Sequence, residues 1–129
     1  MRTGMASHVA SFPQQVPIEA YGNGGFRFAG MSHRGSLLCL PSGLYEWGIG
    51  AMSNLNASDF ERVFAESDRI GFLLLGVGRK LAMPSPGIRQ AFKEANIGLE
   101  VMDTGAAART YNVLLAEGRP LAAALIAVE

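Results

Sequence analysis

The sequence predicts an α/β domain on three observations. The first half alternates apolar and polar residues with a period of two. From Asn54 the apolar period lengthens to that of a helix. From Ile70 onward short apolar runs alternate with capped amphipathic stretches. Two strands joined through a packed helix lie parallel, with a right-handed crossover. The second half therefore builds a β-α-β-α-β unit, and the β-rich first half must add strands to its edge or form a second layer.

Residues 18–21 read as a short alternating strand, stopped by the strong turn signal Asn23-Gly24-Gly25. Phe26-Arg27-Phe28 alternates again, as a strand with one wet face does. Residues 32–35 read as a second turn. Residues 36–40 are a mostly apolar strand ended by Pro41-Ser42-Gly43, and residues 44–49, with Tyr45 and Trp47, are a further short strand or bridge. Ser58 and Glu61 fit a capping box, and Phe60, Val63 and Phe64 mark one helical face running to about Ser67. Residues 70–75 form a compact apolar run, as in a strand buried on both faces.

Ser85 caps a second helix with Pro86 at its tolerated first position. Ile88, Phe92 and Ala95 are its inner stripe, and Asn96 and Gly98 help end it. Residues 99–102 are the next strand. Asp103 or Thr104 caps a third helix, on which Ala107, Ala108, Tyr111, Leu114 and Leu115 share one face. Glu117-Gly118-Arg119-Pro120 ends that helix, and residues 121–128 form the last strand.

At 129 residues the chain is expected to be one domain, residues 18–129, behind a flexible N-terminal tail, residues 1–17. A formal net charge of zero argues against nucleic acid as a partner, because replacing phosphate counterions needs an excess of Lys and Arg. The longest apolar stretch, residues 121–128, is far below the roughly 20 residues of a spanning helix, so no transmembrane segment is expected. The one cysteine, Cys39, sits in an apolar run and is expected to be a buried, inert thiol. A reducing compartment follows: cytoplasm, or an organelle matrix in a eukaryote, and not the secreted space.

Residues 102–126 read MDTGAAARTYNVLLAEGRPLAAALI. With the Leu-Gly-x-Gly turn at residues 75–78, this stretch resembles, almost position for position, the signature of the family that contains mitochondrial complex I assembly factor three and its small prokaryotic relatives. The resemblance runs over residues 18–128. It implies a three-layer domain with a central mixed, mostly parallel sheet, helices on its faces and an additional N-terminal β element. It carries no established chemistry. By analogy it implies help in building a respiratory NADH–quinone oxidoreductase, with respiratory-complex subunits as partners. Relatives often carry a Cys just before the Arg-Thr-Tyr-Asn stretch, where this chain has Ala108; a mechanism through that thiol cannot apply here.

Two groups of residues are candidates for a site. Gly76 and Gly78 let the chain leave a buried strand sharply, next to Arg79. Ligands of open α/β sheets sit beyond the carboxyl ends of strands, where Asp103 and Thr104 begin the third helix. Gly76, Gly78, Arg79, Asp103, Thr104 and, further along the helix, Asn112 are thus the candidate residues for a small anion. The turn lacks the third glycine of a dinucleotide fingerprint and the Gly-Lys-Ser/Thr of a phosphate loop. Capping alone explains Asp103 and Thr104. Asp-Thr-Gly matches the aspartic-protease triplet in letters only, since that chemistry needs two such aspartates.

The second group is Ala106, Arg109, Val113 and Ala116, on the helix face opposite the core stripe. Small and apolar residues around one Arg suit a contact surface. His8 and His33 have no spaced partners for a metal, and no nucleophile-base-acid set is present. No catalytic residue, metal or cofactor is assigned. The expected function is a non-enzymatic binding or assembly module with a protein partner. The alternatives are a homo-oligomer, and a small-anion-binding protein or enzyme with its site between the 76–86 loop and the Asp103 helix start.

Overall fold

The computed structural model describes residues 11–129. Strands β1 (Ala20–Gly22), β2 (Gly25–Phe28) and β3 (Met31–Arg34) pair antiparallel as a small sheet. Strands β4 (Ser36–Leu40), β5 (Gly43–Trp47), β6 (Phe72–Gly76), β7 (Gly98–Met102) and β8 (Leu121–Leu125) form a second sheet in the order β5-β4-β8-β6-β7. Helices α1 (Glu61–Phe64), α2 (Pro86–Glu94) and α3 (Thr104–Ala116) lie between these strands in sequence. The mixed α/β class is therefore as expected. The predominance of parallel pairing is not: β6 pairs parallel with β7 and β8, but β4 pairs antiparallel with both β5 and β8. The helical crossovers dictate parallel pairing only for β6, β7 and β8, whereas a tight hairpin dictates antiparallel β4–β5.

Alternation along the strands splits the core in two. Leu38, Leu40, Leu73, Leu75, Ala122 and Ala124 meet Phe60, Val63, Ile88 and Phe92. The alternate residues Leu37, Cys39, Leu74, Leu121, Ala123 and Leu125 meet α3 through Ala107, Ala108 and Tyr111, and the small sheet through Phe26 and Phe28. The Ala-rich middle of β8 suits its central position, because small side chains let both neighbouring layers approach. Trp47 packs on Phe60 at 5.5 Å between ring centroids, and its indole N–H donates to the Asp59 carbonyl, so it is a packing residue as expected.

Several local expectations need correction. Residues 32–34 are strand, and the turn falls at Ala29-Gly30, whose φ values of 51° and 73° are both positive. Asn23-Gly24 makes the same kind of two-residue turn in the expected place. The second hairpin escaped notice because Ala29 is a poor marker for a left-handed position. The capping box is not Ser58/Glu61: the Asn56 N–H donates to the Asp59 carboxylate, opening a 3-10 turn at Ala57–Phe60 that runs into α1. Helix α1 then ends at Phe64, short of Ser67. The last strand ends at Leu125.

Residues 11–17, expected within a flexible tail, are docked. Phe12 bridges Leu44, the Gln15 amide donates to the Leu121 carbonyl, and Tyr111 donates to the Val16 carbonyl. The remainder of that expected tail, with His8, lies outside the described residues. Among the described residues, no helix is long and apolar enough to cross a membrane.

Candidate functional site

β6, β7 and β8 run parallel, so their carboxyl ends share one rim. Gly76 ends β6, and a Cβ there would lie 3.0 Å from the Thr104 Cα and 3.2 Å from the Ala107 Cβ. Glycine is thus what allows α3 to start this close to the sheet. Gly78, two residues on, has φ 108°, a conformation that also favours glycine.

Hydrogen bonds then tie the three strand ends together. The Val77 N–H donates to Met102, and the Thr104 N–H donates to Gly78 at 2.8 Å. The buried Thr104 hydroxyl accepts from the Gly78 N–H at 3.0 Å and donates to the Ile126 carbonyl at 2.7 Å. Ile126 N–H returns to Gly76. Thr104 is therefore not the cap of α3; Asp103 is, accepting from the Ala106 N–H at 2.9 Å.

The structure thus brings Gly76, Gly78, Asp103 and Thr104 together on one rim, with Arg79 beside them. Their polar groups are used within the chain: Asp103 caps, Thr104 bridges, and the Arg79 guanidinium donates to the Glu129 carbonyl. Asn112 stands apart, about 12 Å further along α3 from Thr104. Its amide brackets one residue of the incoming chain, accepting from the Ile18 N–H at 2.8 Å and donating to the Ile18 carbonyl at 2.7 Å. It acts as a one-residue extension of a β-ladder, which aligns the strand entering the small sheet.

On the outer face of α3, Ala106 is half-buried, while Arg109, Val113 and Ala116 are exposed, Val113 at 56%. Arg109 donates to the Tyr21 hydroxyl at 2.9 Å. Tyr21, itself 41% exposed, lies over Gly105, where an added Cβ would push its ring away. The sequence reading missed both residues. Gly105 carried a usable signal, since a glycine in the first turn of a helix costs about 1 kcal/mol against Ala unless something must approach closely. Leu81 and Met83, in the loop before α2, were also missed; they are 65% and 59% exposed.

Cys39 is buried as expected, and burial pushes its thiol up to about 12, with the neighbouring Tyr111 hydroxyl opposing that rise only in part. A thiol so held is protonated and unreactive. The Tyr111 hydroxyl is also raised, first by burial and then by Cys39.

The parallel strand ends are thus tied together by backbone bonds and by the Thr104 hydroxyl, and the exposed Tyr21, Arg109 and Val113 lie on the same side of the sheet as α3. Comparison with known proteins carries this to a family. Residues 18–126 match the family described as "Protein of unknown function (DUF498/DUF598)", and the chain belongs to it. It is 33% identical over 125 residues to NADH dehydrogenase [ubiquinone] 1 alpha subcomplex assembly factor 3 of Mus musculus, covering 97% of this chain and 68% of that protein. It is 35% identical to an uncharacterized protein of Rhodobacter capsulatus, covering 95% and 93% of the two chains. A crystal structure from Bartonella henselae, described as an outer membrane protein, superposes with a TM-score of 0.88 at 51% identity, covering 92% of this chain and 99% of that one.

Proposed function

We propose that this chain is a non-enzymatic accessory module that holds a protein partner during assembly of a respiratory NADH–quinone oxidoreductase. Two things support the reading: relatives that carry the name of an assembly factor, and a surface suited to protein contact. The single observation behind it is the exposed α3 face, where Val113 and Ala116 stand beside Arg109 and Tyr21. Exposed aromatic and Arg side chains around an apolar centre are what interfaces enrich. The Tyr21–Arg109 bond holds both long side chains in place before contact, which lowers the ordering cost of association. The compartment is the cytoplasm, or the matrix of an organelle.

The test is affinity purification from the native cell, with the unaltered chain and with Val113→Asp. Respiratory subunits should co-purify with the first and be lost with the second, while far-UV circular dichroism stays unchanged. Capture of the same subunits by Val113→Asp would remove this face from the function. A chain that brings down no respiratory subunit at all would overturn the assembly role.

A further inference from the structure

A groove with a volume of about 420 Å³ lies at the free edge of the larger sheet, and its case does not depend on the assembly reading. β7 is an end strand and pairs only with β6, so one flank of the groove is open. The two-residue period points Ile97, Leu99 and Val101 to the sheet face that carries Phe92 of α2. These four residues make an apolar floor, and Ile97 to Val101 spans about 13 Å at the rise of a strand. Ile97 and Phe92 are buried while Leu99 and Val101 are half-buried, so the last two are the part in water. Met83, 59% exposed, lines the groove from the loop before α2.

Charge around this floor is one-sided. Residues 77–93 hold Arg79, Lys80, Arg89 and Lys93 and no acidic residue, although the formal net charge of the chain is zero. Arg89 and Lys93 line the groove; they are neighbours on one flank of α2, and both are exposed. Among the described residues, the one salt bridge joins Arg69 and Glu66, so neither groove cation is in an ion pair. The acids nearest in sequence face elsewhere. Glu100 alternates to the opposite sheet face. Glu94 sits about 100° further round α2 than Lys93, where it accepts from Gln90.

We propose that this groove binds a small amphipathic anion: an unbranched hydrocarbon chain carrying one acidic head group. The hydrocarbon lies along Ile97, Leu99 and Val101 and displaces water from apolar surface. The head group stays at the rim, against Arg89 and Lys93. The floor supplies affinity and the two cations fix the sign of the charge. A flexible chain can set its apolar body and its charged end on the same side. An extended peptide cannot, because its side chains alternate: with apolar residues on Leu99 and Val101, their neighbours go to the Glu100 face. A second copy of this chain fits no better, since a two-fold contact here would gather two Arg89–Lys93 pairs at one joint.

The probe is decanoate, kept below its micelle-forming concentration and titrated into the intact chain by NMR. Butyrate has the head without the tail, and decyltrimethylammonium has the tail with the opposite charge. Decanoate should give saturable shifts of the Leu99 and Val101 methyl resonances. Butyrate should give none, and decyltrimethylammonium should bind about tenfold more weakly than decanoate. Arg89→Glu/Lys93→Glu, on exposed positions, should reverse that preference. Met83→Asp, also exposed, should weaken decanoate with the fold intact. Val113→Asp should leave decanoate binding unchanged, so the two surfaces can fail separately. No saturable shift with decanoate, equal binding of decanoate and decyltrimethylammonium, or shifts mapping away from β7 and α2 would overturn the proposal. Binding to phosphatidylglycerol vesicles without saturable binding of free decanoate would also overturn it, by making the surface a bilayer contact.

Discussion

β6 and β7 end on the same rim, yet the chain leaves them in opposite ways. After β7, Asp103 alone separates strand from helix, and the next residue, Thr104, is buried and bonded to both neighbouring strand ends. After β6, residues 77–85 intervene before α2 begins, and this loop buries Val77 and Pro84 but leaves Leu81 and Met83 in solvent. Both helices end alike, with Asn96 or Gly118 at positive φ and the following N–H reaching back five residues, to Phe92 or Leu114. The difference therefore lies wholly in how they begin. A crossing with no loop must satisfy its polar groups inside the fold and becomes part of the scaffold. A crossing with a long loop has water to satisfy them and is free to carry a contact surface.

The contrast breaks most sharply at Thr104. Thr104→Val keeps the shape but leaves the Gly78 N–H and Ile126 carbonyl without their partner, and should cost about 3 kcal/mol in urea-induced unfolding. A loss below about 1 kcal/mol would show that water replaces the hydroxyl and that the rim is open. Capping gives an intermediate comparison. Both Ser85 and Asp103 accept from the N–H three residues on, so Ser85→Ala and Asp103→Ala should each cost about 1 kcal/mol. A much larger loss at Asp103 would tie the cap to the strand-end lacing. The smallest effect belongs to the loop. Leu81→Ser with Met83→Ser should change stability by less than about 0.5 kcal/mol; a larger loss would mean that the loop packs in solution and leaves no contact surface.

Most of the rim was legible because its signals are local. Gly76 and Gly78 after an apolar run, Ser85-Pro86, and Asp103 before a helical stripe each announce their role within a few residues. The candidate set missed Tyr21 and Gly105, because their meeting joins residues 84 positions apart and neither is unusual alone. Asn112 was readable as the edge of a stripe, but its partner Ile18 was not, since side-chain amides bond any backbone brought near. The hairpin at Ala29-Gly30 was missed for the opposite reason: its conformation is strict, and its first residue is not one that usually signals it.

Amino-acid order by itself determined most of the strands and helices, though not β3 or every boundary, where the second and third helices are capped, that the chain is α/β, and that Cys39 is buried, because periodicity and capping act over one or two turns. Only the tertiary structure decided that β4 runs antiparallel into the sheet, that Thr104 laces three strand ends, that residues 11–17 dock, and that β7 keeps a free edge beside two cations. Those outcomes depend on which backbone groups find partners far along the chain, and a donor's distant partner leaves no mark on the residues around it.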